Sequence, residues 1–255
     1  MRYSGSKKRF MKDLLPILMK GTKKDTLFID AFGGGMNVVS QIPLKNKIAI
    51  ELNSYIVSLW KDLQTCGDIS EVVPQELSEE EYYILKQRYI DNDTKGIESL
   101  IGYVGSACSY GGAWWNGYAK FNPKKNENHI KEAFNGLKKH INGFLNFSET
   151  KFFNKSYLNI EEIIKEQGYK PQDVVIYCDP PYASTKKYES DFNHTEFWDW
   201  CREMSKKGYS VYISEYIAPS DFRCIWKKEK KDGMGTTATG NRQKTKIEKL
   251  FKYKG

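Results

Sequence analysis

The chain reads as an open α/β sheet with a helical insert, and three observations lead there. Four short apolar runs each end in small or polar residues. Helix-like stretches separate them. The middle of the chain, residues 61–150, shows no such run until Lys151-Phe152-Phe153. Continuous apolar runs mark strands buried on both faces, and alternation with helices makes such strands parallel. Ligands of open sheets of this kind sit beyond the carboxyl ends of the strands.

In chain order, Thr26-Leu27-Phe28-Ile29 is the first strand and runs into Asp30-Ala31-Phe32-Gly33-Gly34-Gly35. Lys47-Ile48-Ala49-Ile50 is the second and runs into Glu51-Leu52-Asn53. Within 61–150, Ser78-Glu79-Glu80-Glu81 is a capping-box pattern that opens a helix through about Arg88. Asp173 to Cys178 is a further strand, ending in Asp179-Pro180-Pro181-Tyr182. A helix over 195–207 follows, with Thr195 as N-cap and Gly208 as stop. Tyr209 to Ile213 is the last apolar run, ending in Ser214-Glu215. This gives a sheet domain of 1–60 and 151–255, interrupted by a mainly helical domain of 61–150.

Composition narrows the class. Hydrophobic residues make up 40% of the chain and aromatics number 36, enough for a sizeable core. No run approaches the roughly 18–20 apolar residues of a membrane helix, and the N-terminus lacks a signal-peptide stretch. The five cysteines are odd in number and never spaced C-x-x-C, so a disulfide framework and a four-cysteine zinc site are not expected. His129, His140 and His194 share no ligand spacing, and no metal is expected. The expected setting is a reducing cytoplasm.

Three motifs carry chemistry. In Asp179-Pro180-Pro181-Tyr182, two prolines fix two φ angles and remove two N–H donors. What remains is a rigid rim of acceptors beside a flat ring, suited to an exocyclic amino group on a base. The glycines 33–35 let a nucleotide-like ligand approach the backbone. Glu51 stands at the end of the next strand, where an acid takes both ribose hydroxyls in the dinucleotide fold. No G-x-G-x-x-G is present, which favours another adenosine ligand over a dinucleotide. A nucleoside cofactor facing an amino-bearing base is the requirement of methyl transfer from S-adenosylmethionine.

These residues resemble the Dam-like, D12 class, α-ordered DNA adenine-N6 methyltransferases. The likeness lies in Arg2-Tyr3-Ser4-Gly5-Ser6-Lys7, Phe32-Gly33-Gly34-Gly35, Glu51-Leu52-Asn53 and Asp179-Pro180-Pro181-Tyr182, with a weaker match over Phe152 to Tyr157. The order of the motifs excludes the β-ordered relatives. The resemblance implies a Rossmann-like, S-adenosylmethionine-dependent methyltransferase fold with a mixed seven-stranded sheet and a target recognition domain over 61–150. It implies cofactor contacts at Tyr3, Lys7, Asp30, Gly33, Gly34, Glu51 and Asp179, with Phe32 near the methionine moiety. Asp179, Pro180, Pro181 and Tyr182 would receive a flipped-out adenine. Three positions depart from the family pattern: Glu51 replaces a usual Asp, Met36 takes the place of a last glycine, and Tyr3 stands where Trp is frequent. An RNA or N4-cytosine amino-methyltransferase is the nearby alternative, although the cytosine enzymes usually carry Ser or Thr where Asp179 stands. A non-catalytic DNA-binding protein of the same fold is the alternative from another class.

Charge points to a polyanion. Residues 1–24 carry eight Lys/Arg against one acid and residues 223–255 eleven against three, within a net charge of +8. Either the two ends grip double-stranded DNA or they are solvated lysine-rich tails. Trp114-Trp115 is either a wedge into the base stack or a small core of the insert. Lys120, Lys124 and Lys125 are expected to meet phosphates rather than bases, and Arg242 and Lys244 sit in a basic 233–244 loop that either contacts the DNA backbone or is a plain surface loop. A cognate restriction endonuclease in a bacterial or phage-infected cell is a partner the resemblance allows.

Overall fold

The computed structural model describes residues 1–121, 128–181, 192–230 and 246–255. The chain divides into two compact units, Met1–Asn159 and Ile160–Gly255.

In the first unit, α1 (Met11–Leu18) buries Met11, Leu14 and Leu18 at helical spacing. Strands β1 (Leu27–Asp30) and β2 (Lys47–Ile50) are buried throughout, as their apolar runs require. They pair in parallel with Ile29 opposite Ile48, and β3 (Lys151–Phe153) pairs in parallel with β2, Phe152 opposite Ala49. Helix α2 (Ser54–Thr65) starts at Asn53, whose Oδ1 accepts from the amides of Tyr55 and Ile56 at 3.1 and 3.3 Å. Trp60 of α2 is fully buried among His140, Phe144, Phe147 and Phe152. That aromatic core ties α2 to the segment leading into β3.

Helices α3 (Glu79–Ile90), α4 (Glu98–Ser106) and α5 (His129–Asn142) fill the described part of 61–150, with only a Ser109–Tyr118 bridge of strand type. The capping box at α3 is present in both directions, Ser78 N to Glu81 Oε2 at 2.7 Å and Glu81 N to Ser78 Oγ at 3.1 Å. Helix α4 lies close on α2, because a Cβ on Gly102 would collide with the Tyr55 carbonyl. The mainly helical character matches expectation, and these helices belong to the same compact unit as β1 and β2.

The second unit contains α6 (Ile160–Glu166), β4 (Val174–Cys178), α7 (His194–Lys206), β5 (Ser210–Glu215), β6 (Phe222–Lys230) and β7 (Lys246–Tyr253). Strands β4 and β5 are parallel, whereas β7 runs antiparallel to β5 and to β6. The described residues thus hold seven strands in a mixed arrangement.

One expectation needs correction. The N-cap of α7 is Asn193, not Thr195, since Asn193 Oδ1 accepts from Glu196 N at 3.1 Å. The charged ends are in regular structure where described: residues 8–18 are helical, and 222–230 with 246–253 form an antiparallel pair. No helix among the described residues is long and apolar enough to cross a membrane.

Candidate functional site

The first unit carries the glycine turn and the acid. Gly33 donates its amide to the Ile50 carbonyl at 2.7 Å, which ties the end of β1 to the end of β2. Gly34 has φ +46°, and a Cβ there would meet the Tyr3 ring at 2.7 Å. A Cβ on Gly35 would meet Tyr3 Cβ at 2.6 Å. The glycines therefore let the Tyr3 side chain lie directly on the turn. Gly112 straps the backbone of Tyr3: its carbonyl accepts from Ser4 N at 2.9 Å, and a Cβ added to it would meet Tyr3 N at 3.0 Å.

Met36 explains its departure from glycine. It adopts φ +54°, the left-handed region, and is fully buried. Its amide donates to the Gly33 carbonyl at 2.7 Å, and its sulfur lies within 2.9 Å of where a Gly33 Cβ would stand. The side chain fills the space under the turn, and that burial offsets the backbone cost of about 1–2 kcal/mol.

Glu51 is fixed by backbone donors. Oε2 accepts from Gly34 N at 2.8 Å and Oε1 from Asn53 N at 2.9 Å. Burial pushes its carboxyl above the ordinary glutamate value, and these amides pull it back in part. Each carboxylate oxygen retains a lone pair for a hydroxyl. The backbone of Glu51 is held in turn by Asn154, whose Nδ2 donates to the carbonyls of Glu51 and Leu52 at 3.0 and 2.8 Å. Leu52 is 69% exposed, an apolar face beside the acid.

Of the other expected cofactor residues in this unit, Asp30 is buried, and its Oδ2 accepts from Val39 N at 3.3 Å. Phe32 is half-buried, with its ring 5.5 Å from that of Tyr157. Lys7 is buried, and its Nζ donates to the Gly5 carbonyl at 3.2 Å. Asn154, Tyr157 and Gly112 were not singled out as site residues by sequence. The first two fall in the stretch of weaker resemblance, the third in a glycine-rich run. Lys47, also missed, is 1% exposed and donates to the carbonyls of Val39, Ile42 and Leu145. It fastens the segment that follows the glycine turn.

Trp115 lies in an aromatic cluster of the same unit. It is 7% exposed, has φ +47°, and has ring centroids 5.3 Å from Tyr82 and 5.6 Å from Tyr89. Trp114 is half-buried, with its Nε1 donating to Tyr89 Oη at 3.3 Å and its ring stacked on Tyr55. A Cβ on Gly105 would press on both indoles at 2.9 Å, so this glycine admits the pair. Lys120 is exposed and paired with Glu79 at 2.9 Å.

The second unit carries the proline motif. Tyr177 of β4 shares a hydrogen bond with Ser214 of β5 at 2.8 Å, which fixes the register up to Cys178 opposite Ile213. Asp179 follows directly, half-buried, with Pro180 buried and Pro181 half-buried behind it. The prolines offer no N–H for a ladder, so the strand ends here. Asp179 and the Pro180 carbonyl thus stand beyond the carboxyl end of β4. Tyr182, Lys124, Lys125, Arg242 and Lys244 lie outside the described residues.

The chain is similar to the type II methyltransferase M.FokI of Planomicrobium okeanokoites, with 28% identity over 79% of this chain and 31% of that protein. It is also similar to the modification methylase StsI of Streptococcus sanguinis, with 22% identity over 85% of this chain and 33% of that protein. The chain spans about a third of the length of these two curated relatives. Among solved structures, the rRNA methyltransferase aviRa of Streptomyces viridochromogenes aligns over 99% of this chain and 86% of its own, at 10% identity and a TM-score of 0.44. A family model described as D12 class N6 adenine-specific DNA methyltransferase matches residues 3–231, a span that takes in the Tyr3 strap, the glycine turn, Glu51 and the Asp179 rim. By that match over nearly its whole length, the chain belongs to the D12 class N6 adenine-specific DNA methyltransferase family.

Proposed function

We propose that the chain transfers a methyl group from S-adenosylmethionine to the exocyclic N6 of an adenine in double-stranded DNA. The observation that carries this reading is the placement of Asp179-Pro180-Pro181 immediately after a buried parallel strand. An adenine N6 lone pair is delocalised into its ring and is a poor nucleophile. Asp179 and the Pro180 carbonyl accept its two hydrogens, which favours a pyramidal nitrogen with its lone pair available. Transfer would break the methyl's bond to the sulfonium as the N–C bond forms, leaving a neutral thioether, and the Asp179 carboxylate would accept the proton that the nitrogen then holds in excess. Tyr182 stacks on the ring. This is positioning and electrostatics without a covalent enzyme intermediate.

The residues of the first unit suit an adenosine cofactor. Gly34 and Gly35 lie beneath the Tyr3 side chain, so a ligand at the turn meets Tyr3 as well as the backbone it covers. Glu51 takes the ribose hydroxyls, Leu52 packs on the adenine ring, and Phe32 and Lys7 border the remainder. When bound, S-adenosylmethionine supplies a methyl group already activated on a sulfonium. A duplex base cannot reach an amine-binding rim while stacked, so the target flips out at a cost of a few kcal/mol. Trp114, half-buried on the buried Trp115, serves the reading of DNA by 61–150, and Lys120, Arg242 and Lys244 meet the phosphate backbone.

The two relatives are named as a type II methyltransferase and a modification methylase. From that likeness we extend the reading to restriction–modification, with a cognate endonuclease as partner and the bacterial or phage-infected cytoplasm as the setting. The test is transfer of labelled methyl from S-adenosylmethionine to unmethylated duplex DNA, followed by nucleoside analysis. N6-methyldeoxyadenosine is the expected product. Label in N4-methyldeoxycytidine, or label on RNA alone, overturns the proposal.

A further inference from the structure

Strands β6 and β7 carry seven Lys/Arg against two acids. Their register sets Arg223 directly opposite Lys252, and Lys227 opposite Lys249. Directly opposed residues share a face with Cβ atoms about 4.5–5.5 Å apart, and like charges there are destabilising. The Lys249 ammonium turns to the Tyr216 carbonyl at 2.8 Å. Among the described residues, no carbonyl takes up Arg223 or Lys252 in this way.

The neighbouring acids are committed elsewhere. Asp221, two residues before Arg223, is held by Arg202 through both oxygens at 2.5 and 3.0 Å. Glu248 is buried opposite Lys228. Among the described residues no carboxylate forms an ion pair with Arg223 or Lys252. Arg223 is exposed, while Lys252 is half-buried with its ammonium 4.9 Å from the centre of the Tyr212 ring. Burial and the neighbouring Arg223 both hold this lysine below its ordinary value.

We propose that Arg223 and Lys252 form a phosphate-binding pair on the β6–β7 hairpin that grips the phosphodiester backbone of DNA. A guanidinium fork beside a fixed ammonium matches the geometry and charge of a phosphate. An anion between them removes the repulsion that the register builds in. A chain of phosphates fits better than a single one, because Lys228, exposed on β6, the edge strand, lies on the same face as Arg223 and Lys252, beyond the Trp226–Leu250 pair. The pair rests on the reading of DNA as substrate, and the test separates the two.

Duplex binding by the full chain is titrated with salt for wild type, Arg223→Gln, and Arg223→Gln/Lys252→Met. Methionine keeps an apolar stem over Tyr212. Methyl transfer by the wild type is assayed alongside. The slope of log K against log salt should fall by about one for the single variant and about two for the double. The loss should be equal on methylatable and scrambled duplexes, with an unchanged or higher thermal midpoint, and Arg223→Lys should restore most of it. An unchanged slope in folded variants overturns the pair while a methylating wild type keeps the reading. A reduced slope with no methylation by wild type keeps the pair and overturns the reading. Absence of duplex binding by wild type overturns both.

Discussion

Gly34 donates its amide to Glu51 Oε2 at 2.8 Å, so the acid that ends β2 closes the glycine turn that ends β1. The same carboxylate takes Asn53 N on its other oxygen at 2.9 Å and so links the turn to the cap of α2. An aspartate is one methylene shorter. Glutamate is what lets a single side chain span both donors.

Glu51→Gln should therefore weaken cofactor affinity and remove its pH dependence. Burial raises the carboxyl above its ordinary value, so the native protein takes up this proton at higher pH than the unfolded chain does. Ionisation then costs stability as pH rises through that interval. Ligand binding has the opposite sign, because only the ionised form gives charge-assisted bonds to ribose hydroxyls. Calorimetric affinity for S-adenosylhomocysteine should rise with pH through the titration of Glu51 and level off above it. In Glu51→Gln it should be flat and about 10–100-fold weaker at pH 7.5. An unchanged affinity removes Glu51 from the site.

Asp179→Ala should separate chemistry from binding. It deletes an acceptor for the target amine at the end of β4, and turnover should drop by at least about 10²–10³-fold. Affinity for S-adenosylhomocysteine and the thermal midpoint should stay near wild type. Near-normal turnover refutes the assigned role, and a collapse of cofactor affinity moves Asp179 to the cofactor instead.

Met36 gives an inverted substitution order. Truncation to Ala loses a buried side chain at about 2–5 kcal/mol and keeps the left-handed strain. Glycine loses the same side chain but relieves about 1 kcal/mol of backbone cost. Urea unfolding should rank wild type above Met36→Gly and Met36→Gly above Met36→Ala. The ordinary order, with Ala above Gly, would show that φ at 36 is not strained.

Lys47 should leave a signature at alkaline pH. Burial holds its ammonium down to about 8 from an ordinary 10.5. Between those values the unfolded chain binds the extra proton, so this group makes stability rise with pH across the window. The comparison to make is wild type against Lys47→Met by urea unfolding from pH 7.5 to 10.5. Their difference isolates the lysine from other groups that titrate there. The variant should be less stable at every pH, since the carbonyls of Val39, Ile42 and Leu145 lose a buried donor. The gap should widen as pH rises.

The strands buried on both faces were legible because burial writes a continuous apolar run: β1, β2, β4 and β5 lie within a residue or two of their motifs. The pair β6 and β7 was not, because Phe222–Lys230 and Lys246–Tyr253 interleave lysines with apolar residues and read as a basic tail. At α7 two good capping residues compete, and Asn193 wins because Glu196 N lies three residues on. In the site, Glu51 and Asp179 stand directly after β2 and β4, where the apolar runs before them place them. The Tyr3–Gly112 strap, the Met36 fold-back and the three carbonyls around Lys47 were not legible. Each depends on residues far apart in sequence or on a positive φ that no side-chain pattern encodes.

Modified-base sequencing of plasmid from a methylation-free host that expresses this chain tests the central claim most directly. The account predicts N6-methyladenine within one short recurrent motif, absent when Asp179→Ala is expressed to the same level. Folded wild-type protein with no N6-methyladenine in the plasmid, or with N4-methylcytosine in its place, would contradict it.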